Sequence, residues 1–289
     1  MATIKGSAPA KVNLTLHITG QRTDGYHLLD SLVVFVDVFD QISATLANDL
    51  TLTVGGPFSA GIPTDGSNLV MRAARALQTK RGVTKGAKLH LDKHLPHAAG
   101  IGSGSSDAAI TLAMLADLWD VPPLAPTSPE VIALGADVPV CLQAPNPVRM
   151  SGIGELLTPV PRLPDCALVL VNPRVDVPTG LVFDGLATKR NPSMNILPAG
   201  LDIGGFAAWL AAQRNDLETP AKQIAPDVSE ALAKLRSMPQ VMHAAMSGSG
   251  ATCYGLTRNV AEARQVARAI PVSKMGWWVA PAAALYAVS

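Results

Sequence analysis

Cysteine pairs are missing from this sequence. The three cysteines, Cys141, Cys166 and Cys253, are odd in number and none stands in a C-x-x-C spacing. That usage fits a reducing compartment rather than a disulfide framework, and each thiol reads as a small buried apolar residue. Long hydrophobic runs are missing too. No apolar stretch reaches the roughly 18 residues of a bilayer span, and Met1 to Ser7 has no apolar core of the signal-peptide kind. A soluble, cytoplasmic protein is therefore expected.

An excess of charge is equally absent. Lys and Arg number 23 against 22 Asp and Glu, a net charge of +1. Proteins that hold duplex nucleic acid normally show a basic stripe, and none is found here. The nearest cluster, Lys80, Arg81, Lys85 and Lys88, flanks a glycine and reads as a solvated turn. No nucleic-acid or membrane partner is expected. A small anionic metabolite needs only a few local donors, so near-neutrality is compatible with a small-molecule substrate. The sequence gives no signal for an oligomeric state.

What is present is an ordinary globular composition. The 289 residues are 48% hydrophobic and 16% charged, enough for a real core and a prior of two domains. Near-alternating β-branched and apolar residues predict strands over Ile4 to Leu16 and Ser31 to Leu46, with a polar connection over Thr19 to His27. A helix is predicted from Ser67 or Asn68 to Thr79, with Leu69, Ala73, Ala76 and Leu77 on one face and Gly82 after it. Lys88 to Leu95 reads as a strand and Asp107 to Leu118 as a helix. Ser128-Pro129-Glu130 opens another helix, with Ser as cap. Proline density between Pro145 and Pro164 places a boundary near residue 160, giving domains over 1–160 and 161–289. Beyond it, Cys166 to Asn172, Gly250 to Leu256 and Gly276 to Val279 read as strands. Asp227 to Glu230 and Asn259 to Glu262 read as capping boxes. The pattern is α+β in two layers.

Between the predicted strand and helix lies Pro96-His97-Ala98-Ala99-Gly100-Ile101-Gly102-Ser103-Gly104-Ser105-Ser106. A strand, a glycine–serine loop and a helix N-terminus make an anion site, because glycines admit a phosphate closely and the first helical N–H groups are unpaired. Two known phosphate loops fail on spacing. No Lys follows these glycines as a Walker A loop requires, and the dinucleotide fingerprint runs out of frame. The protein-kinase H-R-D and D-F-G motifs are also absent. A second glycine–serine turn, Met246 to Cys253, leads into a strand and suggests another cradle.

Lys11 and Asp137 sit in unusually apolar stretches, Ala8 to Leu14 and Ala133 to Val140. Buried charges are costly unless paired, so each invites the other as a partner. A carboxylate can take the proton of an acceptor hydroxyl and a nearby ammonium can hold it ionised, which is what phosphoryl transfer asks of a protein. A turn aspartate and an edge-strand lysine that snorkels to water remain the plain alternatives.

Ala8-Pro-Ala-Lys11-Val-Asn13-Leu, Arg22-Thr-Asp-Gly25-Tyr26-His27, Gly135-Ala-Asp137-Val-Pro139, Gly152-Ile-Gly154-Glu155 and Met246-Ser-Gly248-Ser-Gly250-Ala-Thr, in this order, resemble the GHMP kinase superfamily. The resemblance runs nearly end to end. It implies a two-domain α+β architecture, ribosomal-protein-like in its first half and ferredoxin-like in its second. It also implies ATP with Mg²⁺, the ion's ligands unassigned. The reaction implied is phosphorylation of the 2-hydroxyl of cytidine diphosphate methylerythritol in isoprenoid precursor synthesis. Asp137 would be the general base and Lys11 its partner. Asn13 would place the acceptor, and Tyr26 and His27 would face the cytosine, with Phe183 on its other face near Thr179. Pro96 to Ser106 would wrap the ATP phosphates, Asn68 would reach the adenine, and Gly248, Ser249 and Gly250 would contact the diphosphate side. Ala98 and Ala99 stand where relatives carry glycines, Ile101 where they carry Leu, and Val33 where a larger residue is common. A homoserine- or mevalonate-type acceptor, or a nucleotide-binding module without turnover, are the competing readings.

Overall fold

The computed structural model describes residues 3–286. Its strands are β1 Thr3–Asn13, β2 His17–Gln21, β3 His27–Ala47, β4 Thr51–Gly55, β5 Gly86–Asp92, β6 Val148–Gly152, β7 Leu156–Pro159, β8 Ala167–Asn172, β9 His243–Met246, β10 Cys253–Thr257 and β11 Trp278–Ala283. Its helices are α1 Leu69–Arg81, α2 Ser103–Trp119, α3 Pro129–Ile132, α4 Val138–Cys141, α5 Thr179–Asp184, α6 Ile203–Ala211, α7 Glu218–Ile224, α8 Asp227–Arg236, α9 Val260–Ala269 and α10 Val272–Met275. This is the mixed α+β content expected. Among the described residues no helix is long and apolar enough to cross a membrane. The chain forms two compact units, neither contiguous in sequence: residues 1–10, 38–97 and 102–144, and residues 11–37, 98–101 and 145–289.

In the first unit β4 and β5 pair in parallel, with Leu52 opposite Leu89, and the 41–47 part of β3 runs antiparallel to β5. Helices α1 and α2 pack against each other. Asn68 caps α1 by accepting from Val70 N, and Gly82 ends it at φ 64, a conformation glycine adopts without steric cost. The buried face of α1 is Val70, Met71, Ala73, Ala74 and Leu77. Leu69 and Ala76, expected inside, are only half-buried. Helix α2 is Ala- and Leu-rich and buried on most sides. At Gly6 of β1 an added Cβ would stand 2.5 Å from Met114 Sδ of α2, which explains the missing side chain there.

The second unit holds β2, the 27–37 part of β3, β6 and β7, paired antiparallel in that order. A further antiparallel sheet runs β11-β8-β10-β9. Its core joins Val169 and Val171 of β8, Cys253 of β10, Val228, Leu232 and Leu235 of α8, and Ala263 and Val266 of α9. Pro281 lies in β11, an edge strand, where the missing N–H costs no ladder bond.

Several expectations needed correction. Thr19 to Gln21, read as connection, belong to β2, paired with the start of β3. Strand β5 stops at Asp92 rather than Leu95, because His94 N and Leu95 N both donate to the Asp40 carboxylate instead of a ladder. The helix opened by Ser128 is a single turn, and Ser128 makes no side-chain cap bond. Asp227 likewise does not cap α8, which it merely begins. Asn259 does cap α9 through Glu262 N at 3.0 Å, while the Glu262 carboxylate takes Arg258 N rather than closing a box. The turn before β10 runs to Thr252. In the basic cluster, Arg81 is docked on the carbonyls of Pro122 and Pro123 and Lys80 pairs with Glu130, so neither is simply solvated.

Candidate active site

In the second unit Lys11 is buried, and its Nζ donates to Asn13 Oδ1 at 2.8 Å. Asn13 is fixed from both sides. Its Nδ2 donates to Ser31 Oγ at 2.8 Å, which in turn donates to the Thr15 carbonyl. Its backbone N–H donates to Ser247 Oγ at 3.0 Å. The Ser247 hydroxyl donates onward to the carbonyl of Gly100 at 2.8 Å. The backbone adds Lys11 N to Ile101 O at 3.0 Å and Thr252 N to Ala99 O at 3.1 Å. Residues 98–101 are thus bonded to the Lys11–Asn13 strand and to the Ser247–Thr252 turn.

That closeness explains Gly100. An added Cβ would lie 2.5 Å from Ser247 O and 2.7 Å from Gly250 O, and φ is +73. Asn215 Nδ2 holds the turn from its other side, donating to Met246 O and Gly248 O. Ser249 Oγ lies 2.8 Å from Thr179 Oγ1, so these two predicted substrate contacts sit together.

Tyr26 is 61% exposed. His27 and Phe183 stack with centroids 4.8 Å apart and planes 23° from parallel. Rings at that separation are already in contact and admit no third ring between them. A base held here therefore cannot lie between His27 and Phe183. Nε2 of His27 is buried and has no hydrogen-bond partner among the described residues. Burial, and then the charge of Lys189, lower the His27 pKa, while Asp184 opposes them.

The first unit holds the two ends of the glycine-rich loop. Gly102, at φ 60, precedes α2, and no side chain caps the helix, leaving its first N–H groups for an anion. Two of the three serines offered as donors are already used. Ser103 Oγ donates to Pro96 O at 3.3 Å and Ser106 Oγ to Pro9 O at 2.7 Å. Ser105 is half-buried and makes no side-chain hydrogen bond to the described residues. His97 and Gly104 are exposed. Ala98 is exposed too and sits at φ 50, in the left-handed region where a Cβ is strained.

Asn68 uses its amide as a cap, with Nδ2 on Pro63 O, so an adenine would meet only its remaining hydrogen or lone pair. Asp137 is half-buried at the start of α4, and its carboxylate does not cap that turn. Val33 is fully buried. Sequence reasoning passed over Ser31 and Ser247. Both were visible as hydroxyls beside apolar runs, but nothing local says which carbonyl or amide each one meets.

The family model for the GHMP kinases N terminal domain matches residues 68–144, and that for the GHMP kinases C terminal region matches 199–274. A 4-diphosphocytidyl-2-C-methyl-D-erythritol kinase of Cereibacter sphaeroides is 53% identical over 277 residues, covering 95% of this chain and 97% of the relative. One from Jannaschia sp. is 49% identical over 286 residues, 99% of each chain. A crystal structure of 4-(cytidine 5'-diphospho)-2C-methyl-D-erythritol kinase superposes with a TM-score of 0.79 at 30% identity, covering 97% of this chain and 99% of that one. Homoserine kinase from Cytophaga hutchinsonii matches at a TM-score of 0.65 and 16% identity over 99% of this chain and 95% of its own, a likeness of fold alone.

Proposed function

This chain belongs to the GHMP kinases, among them to the 4-diphosphocytidyl-2-C-methyl-D-erythritol kinases, and from that membership we propose which of its residues carry the reaction. The reaction is ATP-dependent phosphorylation of the acceptor's 2-hydroxyl, a step in making isoprenoid precursors. Asp137 takes the hydroxyl proton as the oxygen attacks the γ-phosphorus. The bond to the β-phosphate oxygen breaks and ADP leaves. Lys11 assists in this reading by stabilising the developing alkoxide.

One observation carries this reading. The buried Lys11 ammonium donates to the side-chain oxygen of Asn13 at 2.8 Å, and the backbone of the same Asn13 is tied through Ser247 Oγ at 3.0 Å to the Gly100 carbonyl at 2.8 Å. A buried ammonium held on a residue that is itself bonded to a glycine-rich loop suits a group that acts on a phosphate. Asn13 places the acceptor end. Tyr26 and Phe183 hold the cytosine faces, and the unpaired His27 Nε2 bonds its edge. A homoserine or mevalonate acceptor offers these rings nothing to stack on.

ATP phosphates lie along Pro96 to Ser106, on the uncapped start of α2. Mg²⁺ would neutralise phosphate charge. Among the described residues no three His, Cys, Asp or Glu side chains gather as a metal cage. A cytoplasmic location is supported by an odd number of cysteines, all buried and none in a C-x-x-C spacing.

The test is ADP release by the purified protein with ATP, Mg²⁺ and 4-diphosphocytidyl-2-C-methyl-D-erythritol. Asp137→Asn is expected to lower kcat by about 10³-fold in a normally folded chain. Turnover near the parent's would remove the base assignment.

A further inference from the structure

Lys93 stands just before the glycine-rich loop and Asp107 just after it, 14 positions apart, and their side chains meet in the interior of the first unit. Lys93 Nζ donates to Asp107 Oδ2 at 2.8 Å and to Asp40 Oδ2 at 2.6 Å, with all three side chains 3% exposed or less. The other oxygen of Asp40 accepts from His94 N at 2.6 Å and Leu95 N at 2.8 Å, the first amides of the loop. The other oxygen of Asp107 is buried without a partner.

Two carboxylates and one ammonium taken out of water are a poor way to stabilise a fold, since apolar side chains of similar volume do as well or better. An unpartnered buried oxygen adds to the cost. Their position suggests what they do instead. A loop that wraps a polyphosphate through backbone N–H groups binds well only if it is ordered beforehand. Otherwise the ordering entropy is subtracted from affinity.

We propose that Lys93, Asp40 and Asp107 form a buried clasp that closes the phosphate loop at its base and acts as a set of positioning residues for ATP. The proposal rests on the reading of Pro96 to Ser106 as the ATP loop. Asp40, on β3, supplies the fixed point. One of its oxygens gathers the loop's entry amides and the other holds Lys93, which ties the loop's exit through Asp107. An asparagine at 107 keeps the shape and an oxygen that can still accept from Lys93 Nζ, so it preserves the tie.

Asp107→Ala removes the exit tie and leaves Lys93 paired with Asp40, so no buried charge is orphaned. Steady-state kinetics of this variant should show KM for ATP raised tenfold or more, with KM for the cytidine acceptor within twofold of the parent. Amides 98–106 should exchange hydrogen faster, and Asp107→Asn should restore KM for ATP to within threefold. An alanine variant with KM for ATP within twofold of the parent, or with both KM values raised alike, would overturn the clasp. If alanine prevents folding, Asp107→Ser decides on the same criteria. A parent chain with no ATP-dependent turnover would defeat the kinase reading itself, and the clasp with it.

Discussion

Ser247 donates its hydroxyl proton to the carbonyl of Gly100 at 2.8 Å, across 147 positions of sequence. The same oxygen accepts the backbone N–H of Asn13 at 3.0 Å. One side chain thereby sets the spacing between the Lys11–Asn13 strand, the middle of the phosphate loop and the substrate-side turn. Ser247 and Asn13 are both buried, so the Asn13 N–H has no water to turn to when the hydroxyl is lost.

Ser247→Ala is therefore expected to cost about 1–3 kcal/mol of stability, read from urea unfolding. It should also lower kcat/KM at least tenfold in the fraction that stays folded. Full activity in the alanine variant would mean that Ser247 does not position the Lys11–Asn13 strand.

On the proposed reading the His27–Phe183 stack bears on the acceptor and not on ATP. Phe183→Ala should raise KM for the cytidine substrate about tenfold, the worth of one stacking contact with the area it buries, and leave KM for ATP near the parent value. His27 has a pKa below the ordinary 6.5, chiefly from burial, so its ring is neutral at pH 7. Acceptor affinity should hold steady from pH 7 to 8 and change only in acid, as the ring takes up its proton. Isothermal titration with CDP across that range measures it.

His243 governs part of the acid stability. Burial, and then Arg236, lower its pKa to about 4 in the folded chain, from 6.5. The unfolded chain takes up this proton first as pH falls. The contribution is fully present above pH 6.5, is lost between pH 6.5 and 4, and changes no further below. It amounts to about 3 kcal/mol. Urea titrations of the parent and His243→Gln at pH 7 and pH 4.5 should show a smaller acid loss in the variant. Parallel losses would assign the acid sensitivity to other groups.

Ala98 occupies a left-handed position at φ 50. Glycine there removes a strain of about 1–2 kcal/mol and brings back about 0.5–1 kcal/mol of unfolded-state entropy. Ala98→Gly should therefore stabilise the chain by about 0.5 kcal/mol, seen as a small rise in Tm. A fall in Tm would show that the methyl group contributes packing that outweighs the strain.

Much of this was legible in the chain itself. The glycine–serine loop between a strand and a helix, the cap at Asn68 and the α+β content follow from local spacing and backbone preference, which act within a few residues. The order of five motifs was enough to point to the family. Tertiary structure decided the rest. That Ser247 meets Gly100, that His27 lies on Phe183 and not apart from it, that Asp40 ends β5 and binds Lys93 to Asp107, depends on which distant segments pack side by side. A hydroxyl or a carboxylate carries the capacity to bond in its chemistry, but its partner is chosen by the packing of the whole unit, where burial without one is costly.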